Sequence, residues 1–270
     1  MYGAGFEPQR STDPGEAFVF WCRDGASILT TGRTDPEGLL AGAAAVFGEH
    51  LGDARPLGQV DTNTDRTVPG FDFKRRVLLS DADNPLQVHH DGASGYGDVY
   101  PDLLFLLCAR QAAVGGESIL VDGQYLVDAI ARDPARDELA RFLWFVPVEQ
   151  CVPAGTEVSG AAINFRSLRP VASRTAGGRV TVRYNETQRL EDGAPADPAA
   201  AGLLAEWDRI VRAEAAAAPR FALAPGELLC VDNYRVFHGR EPYAGADRLF
   251  QRMQAFSTMS FRSYPELSRT

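Results

Sequence analysis

The sequence has no long hydrophobic run and no dense cluster of basic residues. No apolar stretch approaches the roughly 20 residues that a membrane-spanning helix requires, and the N-terminal segment lacks a signal-peptide pattern. The formal net charge is -9, and a chain of this sign without a basic patch is not expected to bind the phosphates of nucleic acid. A small molecule is therefore the expected partner, and the sequence leaves the formation of a homo-oligomer open.

Cysteine is also sparse. Cys22, Cys108, Cys151 and Cys230 are scattered along the chain and have neither CxxC spacing nor the density of a disulfide scaffold. We therefore expect reduced and mostly buried thiols in a cytoplasmic protein.

The composition is that of a globular protein. Apolar residues make up 45% and charged residues 23% of the 270 positions, which is enough to build a sizeable core. The chain shows no internal repeat, low-complexity tract or change of composition that would mark a linker. We expect one domain over residues 1–270, with residues 1–17 forming a loose lead-in.

Histidine is rare as well, with four in the chain at positions 50, 89, 90 and 238. Successive side chains of a strand point to opposite faces, so His89 and Asp91 share a face while His90 points away. Together with the distant His238 they would form a 2-His-1-carboxylate set, which leaves coordination positions open and suits non-heme Fe(II). His50 lies near the end of a predicted helix, where the helix dipole favours a histidine, and we do not expect it to be catalytic.

The apolar periodicity predicts many short strands and a few helices. The predicted helices cover residues 35–52, 125–145 with a break at Asp133-Pro134, and 198–220. The predicted strands are 17–22, 26–31, 71–80, 86–91, 102–112, 117–123, 146–150, 161–173, 178–185, 224–239 and 248–261. This pattern favours a mainly β fold with flanking helices, built on a double-stranded β-helix or jelly-roll core.

Two loops and one strand face have more than one interpretation. Residues 53–72 are either an active-site flap or a surface excursion, and the glycines of 92–101 either allow a closing loop or a tight exit from the strand. In the closing-loop interpretation Tyr96, Asp98 and Tyr100 contact the substrate. In the last strand Arg248, Phe250, Arg252 and Gln254 share a face, which is either functional or solvated.

Two segments resemble those of a known enzyme family. Residues 89–123, HHDGASGYGDVYPDLLFLLCARQAAVGGESILVDG, and residues 224–240, APGELLCVDNYRVFHGR, followed by RLFQR, are similar to motifs of the clavaminate-synthase-like Fe(II)/2-oxoglutarate dioxygenases. This family includes taurine dioxygenase and gamma-butyrobetaine hydroxylase. A weaker likeness at residues 26–52 extends the resemblance over most of the chain.

The resemblance implies a role for each matching residue. His89, Asp91 and His238 would bind Fe(II), while Arg248 and Ser118 would bind the distal carboxylate of the cosubstrate 2-oxoglutarate. A guanidinium fork and a hydroxyl suit a carboxylate chemically. The implied reaction uses O2 and releases succinate and CO2 while hydroxylating an amino acid or a natural-product intermediate. Desaturation, epoxidation and ring closure stay open.

The substrate contacts follow less directly. Arg252 lies about 13 Å along the strand from Arg248, too far to share one carboxylate, and the resemblance suggests that it binds an anionic group of the substrate. Tyr184, Asn185, Arg183 and Tyr96 are further candidates, and Asn164 and Arg166 are weaker ones. For all of these except Tyr96, an ordinary strand position is at least an equal alternative.

Two other classes of protein fit parts of the pattern. A non-oxidative cupin-type isomerase or lyase would also use histidines and a carboxylate, but it has no need of Arg248 and Ser118. A catalytically silent binding module has no need of an intact ligand set. Release of succinate distinguishes the dioxygenase from both.

Overall fold

The computed structural model describes residues 1–51, 61–64, 85–92, 100–151, 157–158, 161–162, 166–191, 197–244 and 248–259. The helices are α1 (Pro14–Asp24), α2 (Pro36–Phe47), α3 (Gly123–Ala131), α4 (Asp137–Phe145) and α5 (Pro198–Ala217), with 3-10 turns at Gly48–Leu51 and Pro134–Arg136. Over these ranges, no helix combines the length and the apolar composition that crossing a bilayer requires.

The strands are short and distributed over the whole described chain. They are β1 (Gln9–Ser11), β2 (Ala26–Thr30), β3 (Asp61–Thr64), β4 (Leu86–His89), β5 (Leu103–Arg110), β6 (Val114–Gly115), β7 (Ser118–Asp122), β8 (Pro147–Cys151), β9 (Glu157–Val158), β10 (Ala161–Ala162), β11 (Arg166–Pro170), β12 (Ala172–Arg174), β13 (Val180–Val182), β14 (Glu227–Asp232), β15 (Val236–Arg240), β16 (Tyr243–Ala244) and β17 (Leu249–Ala255).

Two sheets carry the core of the fold. The larger sheet has the strand order β1-β2-β14-β5-β17-β3, and the smaller has the order β4-β15-β7. Two-stranded pairs join β8 to β11, β9 to β10, β12 to β13 and β6 to β16. The predicted apolar strand at 102–112 is β5, which pairs with β14 on one side and β17 on the other.

Alternate residues of the larger sheet face two different cores. On one face Phe105 packs with Trp21 of α1 and Phe47 of α2. On the other face Leu104 belongs to the same cluster as Leu120 of the smaller sheet. Because side chains alternate along a strand, a residue of even number on β5 faces the smaller sheet and a residue of odd number faces the helices.

The smaller sheet is covered on its far side by a second helical layer. Phe237 packs there in one cluster with Leu126 of α3, Phe142 of α4 and Trp207 of α5. The order of layers is therefore helices, larger sheet, smaller sheet, helices. Because helices cover the outer faces of both sheets, we expect a functional site among the side chains that point between the two sheets.

Several predicted elements are confirmed. Helix α2 begins after Asp35, whose carboxylate accepts a hydrogen bond from the Gly38 amide at 2.8 Å, and Pro36 occupies its first position. The predicted break between two helices coincides with the 3-10 turn Pro134–Arg136. The predicted helix at 198–220 is α5, and its apolar residues Trp207, Ile210 and Val211 are buried.

The predicted strand at 17–22 is wrong, because these residues belong to helix α1. The helix begins after Asp13, whose carboxylate accepts a hydrogen bond from the Glu16 amide at 2.9 Å, and it ends at Gly25 with φ of 83°. A short apolar run does not distinguish a strand from a buried helix. The sequence signal was the Asp13-Pro14 pair, which matches the Asp35-Pro36 pair of α2.

The N-terminal residues also differ from the expected loose lead-in. Residues 9–11 form β1, and the buried carboxylate of Glu214 accepts hydrogen bonds from the amides of Gly3 and Ala4 at 3.0 Å each. The Phe6 amide donates to the Leu120 carbonyl at 3.3 Å, which places the segment along the edge of β7. Burial of these backbone groups orders a segment that has no periodicity of its own.

The predicted strand at 224–239 is divided in two. Its first part is β14 in the larger sheet, and its second part is β15 in the smaller sheet, with a turn at residues 233–235 between them. The sequence VDNYR contains the turn formers Asp232 and Asn233, but the apolar residues on both sides of them favour one continuous strand. The predicted strand at 71–80 and most of the loop at 53–72 lie outside the described residues.

Candidate metal centre

Two histidines meet across the smaller sheet. His89 is the last residue of β4 and pairs with His238 of β15, and their ring centroids are 4.4 Å apart. Both point between the sheets, since Val88 and Phe237, their neighbours in sequence, belong to the opposite core. His238 is buried and His89 is partly exposed.

Asp91 completes the cluster from a turn just beyond β4. Its Oδ1 atom lies 3.5 Å from His89 Nε2 and 3.9 Å from His238 Nε2. One potential ligand atom from each of the three residues lies within 4.8 Å of the other two, and among the described residues this is the sole cluster of its kind. The structure thus brings together the three residues that the sequence analysis predicts, although Asp91 lies in a turn and not on the predicted strand 86–91.

The protonation of these residues suits a divalent metal. Burial lowers the pKa of His238 to about 3, so its ring is neutral. Burial alone would raise the pKa of Asp91, but the neighbouring Arg252 charge holds that pKa well below its usual range. His89 Nδ1 lies 2.8 Å from the Gln87 carbonyl, and donation to that oxygen leaves the lone pair of Nε2 facing the cluster.

The donor set therefore fits Fe(II). Two imidazole nitrogens and one carboxylate oxygen make up the facial arrangement of non-heme iron sites. A closed structural zinc site would need a fourth protein ligand, and the described residues within this cluster provide three. The fit rests on the chemistry of the donors and on their convergence.

The second oxygen of Asp91 is held from the larger sheet. Arg252 donates to Asp91 Oδ2, and Gln254 Nε2 donates to the same atom at 2.7 Å. Both residues lie on the face of β17 that also carries Phe250, which packs between the sheets. The face shared by these residues is thus directed toward the cluster of His89, Asp91 and His238 and is not a solvated outer face.

The backbone of Asp91 is held by Asn233, which the sequence analysis did not single out. Asn233 Oδ1 accepts a hydrogen bond from the Asp91 amide at 2.8 Å, and its Nδ2 donates to the Asp91 carbonyl at 2.9 Å. Gln254 was likewise not predicted as a contact of the ligand set. The spacing of polar residues on β17 was the one signal that pointed to it.

Arg248 and Ser118 both lie at the inter-sheet space. The guanidinium carbon of Arg248 is 3.9 Å from the ring centroid of Phe250 and 5.1 Å from that of Tyr243. Gly116 has φ of 78°, and a Cβ atom at this position would lie 3.2 Å from Arg248 Nε, so glycine admits the guanidinium against the backbone. Ser118 is buried at the start of β7 and has the same strand parity as Leu120, which faces the larger sheet.

The predicted substrate residues are placed differently from one another. Tyr184 is buried against Trp207 and Phe237, and its hydroxyl donates to Asp208 of α5 at 2.7 Å. Asn185 accepts hydrogen bonds from the amide and hydroxyl of Thr187 at 3.0 and 2.9 Å, as in an Asx turn. These contacts belong to the core and to a turn, so a role of either residue in substrate binding stays a prediction.

The remaining candidates lie either outside the described residues or in contacts within the protein. Tyr96, Asp98 and Asn164 lie outside the described residues, as does the side chain of Arg166. Arg183 is buried, donates to the Ser167 hydroxyl at 2.9 Å and lies 5.1 Å from the Tyr100 ring. These contacts are internal to the protein.

The two remaining histidines do not join the cluster. His90 is buried, its Nδ1 accepts a hydrogen bond from the Tyr184 amide at 2.9 Å, and burial lowers its pKa to about 3. His50 stacks on Phe18 with ring centroids 5.1 Å apart. The contacts of both histidines are therefore with other parts of the fold and not with the cluster.

Comparisons with known proteins agree with this geometry. A family model described as "Taurine catabolism dioxygenase TauD, TfdA family" matches residues 38–254, a range that includes the three clustered residues as well as Arg248 and Arg252.

Three solved structures share the fold. The chain is similar to an asparagine oxygenase solved in complex with Fe(II), 2S,3S-3-hydroxyasparagine and succinate, at 19% identity, 90% coverage of this chain, 78% of that chain and a TM-score of 0.61. It is also similar to AAD-2 in complex with Mn(II) and N-oxalylglycine, at 15% identity, 93% and 92% coverage and a TM-score of 0.60. The third is PvcB, an Fe, alpha-ketoglutarate-dependent oxygenase from an isonitrile synthetic pathway, at 19% identity, 88% and 77% coverage and a TM-score of 0.57.

Proposed function

The chain belongs to the TauD/TfdA family of dioxygenases, and from this premise we propose that it hydroxylates an unactivated C–H bond of a small polar molecule. It is a 2-oxoglutarate-dependent non-heme iron dioxygenase, with Fe(II), 2-oxoglutarate and O2 as its cofactor and cosubstrates. In the proposed reaction one oxygen atom of O2 enters the product as a hydroxyl group and the other enters succinate, while 2-oxoglutarate loses CO2.

One observation carries this proposal, namely the convergence of His89, Asp91 and His238 between the two sheets. These residues would hold the metal by two imidazole nitrogens and one carboxylate oxygen, and three of six octahedral positions would stay open. Bound Fe(II) supplies the oxidising chemistry that joins O2, 2-oxoglutarate and the C–H bond. The layered arrangement of two facing sheets also supports a double-stranded β-helix in a single domain.

The cosubstrate would be oriented by Arg248 and Ser118. The guanidinium of Arg248 is stacked on Phe250 and beside Tyr243, so its plane has a defined orientation before any ligand binds. A planar fork fixed in this way suits a carboxylate, and a buried hydroxyl at Ser118 suits a remaining lone pair of the same group.

The proposed substrate is an amino acid or a natural-product intermediate. Two proteins that share the fold support this: the asparagine oxygenase was solved with 2S,3S-3-hydroxyasparagine, and PvcB is described as part of an isonitrile synthetic pathway. Arg252 remains a proposed contact to an anionic group of the substrate, since its side chain is partly exposed at the site.

An anaerobic titration of the protein with Fe(II) and 2-oxoglutarate tests the proposal. We expect the weak visible charge-transfer band of an iron–2-oxo acid chelate, followed in air by release of succinate that a correct substrate stimulates. A cupin-type isomerase or lyase would bind the metal but give neither the band nor succinate. Screening amino acids and pathway intermediates for stimulated succinate release would then identify the substrate.

A further inference from the structure

Asp91 is a metal ligand that the sheet itself does not hold. The ladder between β4 and β15 includes the pair His89–His238, and β4 ends at His89. Asp91 is two residues further on, in a turn. A ligand at a strand end can shift with its turn, and its carboxylate would then move relative to the two imidazoles.

The side chain of Asn233 makes the backbone hydrogen bonds that a neighbouring strand would otherwise make with Asp91. The carboxamide of Asn233 accepts a hydrogen bond from the Asp91 amide at 2.8 Å and donates one to the Asp91 carbonyl at 2.9 Å. This is the pattern by which two directly opposed residues of an antiparallel pair exchange hydrogen bonds. The second N–H of the carboxamide donates to the Pro101 carbonyl at 2.7 Å, and Asn233 is fully buried.

The turn that carries Asn233 is itself held by a buried ion network. Arg179 donates to Asp102 and to Asp232 at 2.7 Å each, and all three side chains are inaccessible to solvent. Asp232 also accepts the Tyr234 amide at 3.0 Å, and the Asn233 amide donates to the Asp102 carbonyl at 2.9 Å. These contacts restrict the conformation of the turn, and with it the position of the Asn233 carboxamide.

We propose that Asn233 is a positioning residue for the iron ligand Asp91: its carboxamide fixes the Asp91 backbone so that Oδ1 faces the Nε2 atoms of His89 and His238. This inference rests on the proposed function, because it concerns the residue that would bind the iron. Asn233 does not itself contact the metal or the substrate. It acts through the ligand that it holds.

The test compares metal affinity in variants of Asn233. Asn233→Asp keeps the acceptor for the Asp91 amide but removes both N–H donors, while Asn233→Ala removes the whole contact. Mn(II), used as an oxygen-insensitive probe, is titrated into each apo protein by calorimetry, and the melting temperature of each apo protein is measured alongside. We expect the Mn(II) dissociation constant to rise roughly 10- to 100-fold in both variants, as for other residues that orient metal ligands.

A matched control separates positioning from general destabilisation. Glu214 is buried and also uses its side chain to bind backbone amides, those of Gly3 and Ala4, on the far side of the smaller sheet. Glu214→Ala should lower the melting temperature and leave the Mn(II) affinity unchanged. An equal loss of affinity in Glu214→Ala, or wild-type affinity in Asn233→Ala, would overturn the inference.

A measurement on the wild-type protein covers the case in which the variants do not fold. Amide hydrogen exchange should show the Asp91 amide protected in the apo protein, although it lies outside a strand. Exchange of this amide as fast as that of an exposed turn residue would overturn the inference. A wild-type protein that binds no Mn(II) would instead contradict the proposed function, so the two failures are distinguishable.

Discussion

The guanidinium of Arg252 contacts Oδ2 of Asp91, the carboxylate oxygen that faces away from the two clustered histidines. Gln254 donates to the same oxygen at 2.7 Å. With two donors on Oδ2, the lone pairs of Oδ1 stay available, so Asp91 would bind a metal through one oxygen. The larger sheet thereby orients the carboxylate of Asp91, which lies in the turn beyond β4 of the smaller sheet.

This contact gives Arg252→Ala a defined expected result. The structure favours the outcome in which the variant loses metal affinity and its 2-oxoglutarate chelate band, because the charge that keeps Asp91 ionised is removed. The chelate band and the melting temperature, compared with those of the wild type, measure this. If Arg252 instead acts on the substrate alone, the band and the slow uncoupled decarboxylation persist while substrate-stimulated succinate formation collapses.

Alanine variants of the four histidines should differ in metal binding and turnover. His89→Ala and His238→Ala should each abolish iron-dependent turnover, because each removes one of three ligand atoms. His90→Ala and His50→Ala should leave metal binding largely intact. His90→Ala should still lower the free energy of unfolding by about 1 to 3 kcal/mol, since it leaves the buried Tyr184 amide without its acceptor.

Metal titration of the four variants, with urea unfolding in parallel, checks this division. Retention of the metal by His89→Ala together with its loss in His90→Ala would contradict the strand register on which the ligand set depends. The His50 variant serves as the control, since its ring stacks on Phe18 at the helical layer.

Arg248→Ala should affect the cosubstrate and not the metal. We expect nearly unchanged Mn(II) affinity and a steeply raised requirement for 2-oxoglutarate, because loss of one partner of a buried charge pair costs about 2 to 5 kcal/mol. The dissociation constant for 2-oxoglutarate, read from the chelate band, measures this. Normal saturation by 2-oxoglutarate in Arg248→Ala would contradict the assignment, and Arg212→Ala, on the exposed face of α5, controls for loss of an arginine.

The convergence of the ligand set could be predicted from the sequence for a specific reason. An H-x-D triplet keeps two possible ligands close together however the sheets are arranged, and the rarity of histidine leaves few distant partners. The predicted strand 86–91 ends at His89, so Asp91 reaches the cluster from a turn and not by strand alternation. Helix α2 was predictable because Asp35 and Pro36 are local signals that act within one turn.

The contacts that orient Asp91 could not be predicted in this way. Asn233 and Asp91 are 142 positions apart, and the bond between them depends on β14 leaving the larger sheet at Asp232. The apolar residues on both sides of VDNYR favour one continuous strand, and only tertiary contacts separate it into two. The direction of Arg252 depends likewise on which face of β17 meets the smaller sheet.

The buried network of Arg179 yields the last prediction. Arg179 lies between Asp102 and Asp232 with all three side chains excluded from solvent, so Arg179→Met leaves two buried carboxylates without their counter-ion. Removing one partner of a buried ion pair costs about 3 to 5 kcal/mol. The matched control Arg212→Met breaks an exposed pair with Asp208, which typically contributes about 0.2 to 1 kcal/mol.

Urea unfolding of the apo proteins measures both losses. The Arg179 variant should also bind Mn(II) more weakly, because the turn that carries Asn233 loses the contacts of Asp232 and Asp102 with Arg179. Asn233→Ala in the Arg179→Met background should then weaken Mn(II) binding by less than it does in the wild type, since the two residues hold the same ligand. Additive losses in the double variant would show that the network stabilises the fold without reaching Asp91.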